Sequence, residues 1–85
     1  MDRVLVVDDD LLILHALSRI LQAEGYEVVS HSDPVKASAE RGFAVVITDF
    51  MMPNLNGIEL LGQLKQSSPD AVRLVLTAAA DFKVA

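Results

Sequence analysis

"FAVVITDFMMPNLNG", residues 43–57, runs an unbroken apolar stretch, Ala44-Val45-Val46-Ile47, into the carboxylate of Asp49. A short β-branched run with no polar alternation fits a strand covered on both faces. Phe43–Thr48 is therefore expected to be such a strand, delivering Asp49 at its carboxyl end. The Asn56-Gly57 pair that follows is also the strongest short hairpin signal, but its flanks do not alternate as paired strands would. Asn56-Gly57-Ile58-Glu59 reads instead as a capping box, with Asn56 as the cap and Glu59 reaching back from the third helical position. A helix to about Gln66 follows.

The same junction occurs once earlier, where Val4-Leu5-Val6-Val7 meets Asp8-Asp9-Asp10. Arg3–Val7 is the expected first strand. From Leu11 to Ala23 the apolar positions 13, 14, 16, 17, 20 and 21 recur at helical spacing, and Gly25 supplies a stop. The polar side of this helix is narrow, essentially His15, Arg19 and Gln22, so it calls for burial against more than one neighbour. Tyr26–Ser30 reads as a second strand. Asp33-Pro34 is a cap with proline at the first helical position, opening a short helix to about Arg41. Beyond the third helix, Ser67-Ser68-Pro69-Asp70 is a turn cluster. Val72–Leu76 is a fourth strand ending at Thr77, and Ala78–Ala85 is expected to begin a helix.

Strands alternating with helices at short intervals predict an α/β fold, a doubly wound parallel sheet with helices on both faces, because parallel neighbours require crossovers. Eighty-five residues allow one domain at most, with a modest core. With 52% hydrophobic residues the composition is that of a folded aliphatic core and not of a disordered chain. Cysteine is absent, which removes disulfides and thiolate metal sites and agrees with a reducing, cytoplasmic location. The apolar runs are too short for a membrane span. A net charge of −5 without a basic cluster argues against binding nucleic acid.

In an open parallel sheet the ligand crevice lies outside the carboxyl ends of the strands. Asp8, Asp9, Asp49 and Thr77 are all expected at that rim. Two carboxylates about 4 Å apart repel by roughly 4 kcal/mol at an effective dielectric near 20, so the cluster needs a cation or a proton. Oxygen donors with no nearby histidine suit Mg²⁺, which brings phosphate oxygens with it. Asp49 is then a candidate nucleophile toward phosphorus, and Thr77 a hydrogen-bond donor to a phosphoryl oxygen. The bland readings are a solvated helix start for the aspartate trio and ordinary strand packing for Thr77. His15 and His31 have no partners at ligand spacing and are expected on the surface. Met52 is expected to fill the core.

The pieces "VLVVDDD", "VVITDFMMPNLNG" and "LVLTAAAD", in this order, resemble the receiver domains of bacterial two-component response regulators. The resemblance implies a flavodoxin-like sheet in the order 2-1-3-4. It further implies that Asp49 accepts a phosphoryl group from a sensor histidine kinase, and that Asp9, Asp49 and the Met51 carbonyl bind Mg²⁺ with support from Asp8. By the same likeness Thr77 is the switch hydroxyl, and Pro53 and Gly57 shape the adjoining loop. Receivers usually continue into a fifth strand, ending in a lysine, and a fifth helix. These 85 residues stop before both, and Lys83 falls too early for that role. The fourth strand would then be an open apolar edge, from which self-association is expected. The output domain or partner is not named by the sequence. The alternative function is a receiver-like interaction module that binds metal without switching. A hydrolase of the haloacid-dehalogenase type is disfavoured because Leu12 stands where its D-x-D-x-T/V motif carries threonine or valine.

Overall fold

The computed structural model describes residues 2–50, 52 and 55–76. The chain runs β1 (Arg3–Val7), α1 (Leu11–Ala23), β2 (Glu27–His31), α2 (Pro34–Ala37), β3 (Val45–Asp49), α3 (Gly57–Ser67) and β4 (Val72–Leu76). All pairings are parallel and the sheet order is β2-β1-β3-β4, as expected. Among the described residues no helix is long and apolar enough to cross a membrane.

The sheet is covered on both faces, and the strand period of two assigns each residue to one of them. Val4 and Val6 of β1 pack with Leu14, Leu17 and Leu21 of α1. Leu5 and Val7 point the other way, into a larger core with Ala37 of α2 and Leu60 and Leu64 of α3. Between two neighbours and under two layers, β1 has four residues no more than 1% exposed, which is why its sequence shows no polar alternation. Met52 joins the larger core, as expected of a gap-filling methionine.

Local chemistry fixes the element ends. Asp10 caps α1 by accepting from the amides of Leu12 and Ile13. Past its last turn Gly25 adopts φ +95°, a left-handed conformation that suits glycine, and its amide donates to the Gln22 carbonyl. Asp33 and Pro34 open α2, as the sequence reads. Asn56 and Glu59 exchange both bonds of the capping box on α3.

Four expectations need correction. Helix α2 ends at Ala37 and not near Arg41, because the following residues are held elsewhere. Ser38 Oγ turns back on the Val35 carbonyl, Glu40 pairs with His31, and the Arg41 carbonyl accepts from Arg3 Nη1. Strand β3 starts at Val45, since Phe43 turns into the core beneath the Arg3 guanidinium, 4.8 Å from its ring centre. Strand β2 spans Glu27–His31, one residue later than read. His31 is half-buried, with Nε2 2.6 Å from Glu40 Oε2, and is no free surface residue; His15 is exposed.

The expected excess of apolar surface on α1 is present. Leu11, Leu12, Ile13 and Ile20 remain exposed. Among the described residues β4 pairs on one side only, and Val72, Leu74, Val75 and Leu76 are exposed along it.

Candidate functional site

Strands β1 and β3 are parallel neighbours, with Val7 beside Thr48, so the residues just past their carboxyl ends are brought side by side. This is how Asp8 and Asp9, 41 and 40 positions before Asp49, come to meet it. One carboxylate oxygen from each of Asp8, Asp9 and Asp49 lies within 4.8 Å of the others. The three differ in exposure: Asp8 is buried at 2%, Asp49 is half-buried and Asp9 is exposed.

Asp8 is the anchored member. Its amide donates to the His31 carbonyl at the end of β2, and its Oδ1 accepts from the Asp10 amide at 2.9 Å. Burial pushes its carboxyl above the ordinary carboxylate range; the Asp10 amide opposes this, and the neighbouring charges of Asp49, Asp9 and Asp10 add to it. The amino end of α1 starts immediately after, so its partial positive charge falls beside the cluster and offsets part of the repulsion.

The donor set fits a hard divalent cation. Three carboxylates converge, with no imidazole in the cluster and no cysteine in the chain. Opposite ligands of an octahedral Mg²⁺ lie about 4 Å apart, and the ion keeps several waters, so a 4.8 Å spread is within reach of direct and water-mediated contact.

Asp49 is held through its backbone. The Phe50 amide donates to the Leu76 carbonyl at 3.0 Å, tying the residue after Asp49 to the end of β4. The Gly57 amide donates to the Phe50 carbonyl at 2.9 Å, which brings the start of α3 onto the same turn. A Cβ on Gly57 would collide with the Asp49 carbonyl oxygen and lie 3.1 Å from both the Asp49 carbonyl carbon and Phe50 Cα. Glycine is thus required by close approach of backbone to backbone. The sequence pattern shows Gly57 only as part of a cap or loop, and the contact across seven intervening residues has no local signal. Thr48 was missed altogether: its buried hydroxyl donates to the Asp49 carbonyl at 3.0 Å.

Of the candidate site residues, Asp8, Asp9 and Asp49 are brought together. Thr77, Met51, Pro53 and Lys83, and the helix expected over 78–85, lie outside the described residues.

Comparison with known proteins bears on this arrangement. The family described as response regulator receiver domain matches residues 4–85. Response regulator MprA of Mycobacterium avium is 42% identical over 80 residues, which are 89% of this chain and 35% of that protein. The chain thus spans about a third of the length of the curated relatives it matches. Response regulator protein TrrA of Thermotoga maritima, solved in complex with Mg²⁺-BeF, superposes with a TM-score of 0.86 at 33% identity, covering 99% of this chain and 76% of that one. A solved complex of histidine kinase ThkA with TrrA matches with a TM-score of 0.80 at 34% identity, covering 98% of this chain and 74% of that one. None of these matches supports the non-switching module.

Proposed function

This chain belongs to the response regulator receiver domain family, and from that premise we propose that Asp49 is its phosphoacceptor, served by a divalent cation held at Asp8, Asp9 and Asp49. The observation that carries this reading is the meeting of the three carboxylates at the carboxyl ends of β1 and β3. It is a signalling domain, and the reaction it undergoes is transfer to itself.

A carboxylate oxygen of Asp49 attacks the phosphorus of a phosphohistidine on a sensor histidine kinase. The P–N bond breaks, its electron pair stays on the imidazole nitrogen, and an acyl phosphate forms on Asp49. Mg²⁺, when bound, supplies positive charge against the phosphoryl oxygens. Asp8 and Asp9 hold that charge beside Asp49, and the amino end of α1 adds to the favourable field. Met51, through its carbonyl, completes the proposed metal ligands, and Thr77 is the proposed hydroxyl that engages the phosphoryl group. A kinase partner agrees with the ThkA–TrrA complex among the structural relatives, and Mg²⁺ with the Mg²⁺-BeF complex of TrrA.

A phosphoryl group adds nearly two negative charges at the rim, enough to bias a two-state surface. The readout belongs to an output segment or a partner protein, acting in the cytoplasm. The 85 residues form one receiver unit. Among the described residues β4 pairs on one side only and exposes Val72, Leu74, Val75 and Leu76, which supports self-association; light scattering of the protein and of Leu74→Lys tests it, with dimer for the first and monomer for the second expected and monomer for both as the contrary result.

Phosphoacceptance is tested by intact mass after exposure to a small phosphodonor with Mg²⁺. The expected result is a gain of one phosphoryl group, abolished by chelation and by Asp49→Asn. A persistent adduct in Asp49→Asn, or none in the native protein, contradicts the assignment.

A further inference from the structure

Thr48 occupies a place where a valine would serve packing as well. It is fully buried, it pairs in register with Val7 and Val75, and Val7 and Val46 of the same face are core residues. A buried hydroxyl has one proton to donate and must place it. Here two acceptors are within range, the Asp49 carbonyl oxygen at 3.0 Å and Met52 Sδ at 4.0 Å. The carbonyl is the nearer and the stronger acceptor, so the proton goes to the backbone of the residue whose side chain stands in the acid cluster.

That carbonyl is also crowded by the backbone of Gly57, against which no Cβ fits. The next amide, of Phe50, is bonded to Leu76, and the next carbonyl, of Phe50, to Gly57. The peptide joining Asp49 to Phe50 is therefore fixed at its oxygen by Thr48 and at its nitrogen by β4. Tilting of this peptide about its Cα–Cα axis displaces the Asp49 carbonyl carbon, one of the backbone atoms that set the Cα–Cβ direction, and so tilts the bond on which the carboxylate is carried.

The geometry points to Thr48 as a positioning residue for the phosphoacceptor: its hydroxyl locks the Asp49 carbonyl and so aims the carboxylate at the phosphorus. The inference rests on the proposed role of Asp49. In-line transfer is sensitive to aim, since a misplacement of about 1 Å can cost on the order of 100-fold, and freeing one peptide is expected to cost about 5- to 10-fold.

Two variants and two readouts test it. Thr48→Val keeps the shape and removes the hydroxyl; Thr48→Ser keeps the hydroxyl and removes a methyl group. With saturating Mg²⁺ and a small phosphodonor, Thr48→Val is expected to form the Asp49 adduct about 5- to 10-fold more slowly at unchanged Mg²⁺ affinity, with Thr48→Ser within about 2-fold of native. In metal-free protein the Asp49 carbonyl ¹³C resonance is expected to move in Thr48→Val and hold its place in Thr48→Ser. Native rates in Thr48→Val, equal slowing in both variants, or an unmoved carbonyl resonance in Thr48→Val would overturn the inference. If the native protein takes up no phosphoryl group, the phosphoacceptor reading falls and the kinetic role with it, while the carbonyl resonance still decides whether the lock exists.

Discussion

Asp8 carries most of the electrostatic strain of the acid cluster, because it is the buried member and has Asp49, Asp9 and Asp10 around it. Its folded-state pKa is raised, so the folded chain binds this proton more tightly than the unfolded one does. The associated stability is complete below the ordinary carboxylate pKa and is lost as pH rises through the raised value. At neutral pH without divalent cation, Asp8→Asn is therefore expected to be more stable than the native protein by several degrees in Tm, as about 1 kcal/mol gives in a domain this small. The advantage should shrink on acidification and on adding Mg²⁺, and thermal melts across pH with and without Mg²⁺ check both. Gly57 is the second decisive residue. Gly57→Ala forces the start of α3 away from the Asp49–Phe50 peptide, and the strain of overpacking at such a contact is about 1–3 kcal/mol. Urea unfolding should show this loss, together with slower adduct formation at Asp49. These residues also divide what the sequence revealed from what it did not. The acids were visible because each interrupts an apolar run, whereas a threonine in a strand and a glycine beside an asparagine have ordinary explanations that hide a backbone contact.

At the scale of elements, the caps were legible because they are local. Asp10 before α1, Asp33-Pro34 before α2 and the Asn56/Glu59 box before α3 all act within three residues of where they stand. Asp10 has a double position, capping α1 while its amide holds Asp8 Oδ1. Asp10→Ala is expected to cost about 1 kcal/mol, the usual loss of an N-cap, yet to leave the Asp8 contact in place because that bond uses the backbone. Urea unfolding measures the first part, and a position-10 amide that stays protected from hydrogen exchange checks the second. The end of α2 was not legible. It is set by His31 and Glu40, by Arg3 and the Arg41 carbonyl, and by Phe43 turning inward, all of them contacts between segments far apart in sequence.

Over the whole molecule, the strand order was legible only through the family resemblance, since apolar runs mark strands as buried without naming their neighbours. β1 and β3 carry the runs that end in acids and lie adjacent at the centre, while β2 and β4 flank them. Leu5, fully buried between β2 and β3 and under α2 and α3, is the packing counterpart of the acid rim. Leu5→Ala is expected to destabilise the fold by about 2–5 kcal/mol, a large part of what a chain of this size has, and equilibrium unfolding measures it. The account as a whole stands on Asp49 being the one group that takes the phosphoryl load within a shared cation site. Borohydride reduction after phosphodonor treatment, followed by peptide sequencing, marks an acyl phosphate by converting its residue to homoserine. Homoserine at position 49 alone, formed with Mg²⁺ and not with chelator, is the predicted result; homoserine at position 8 or 9, or at 49 regardless of Mg²⁺, would contradict it.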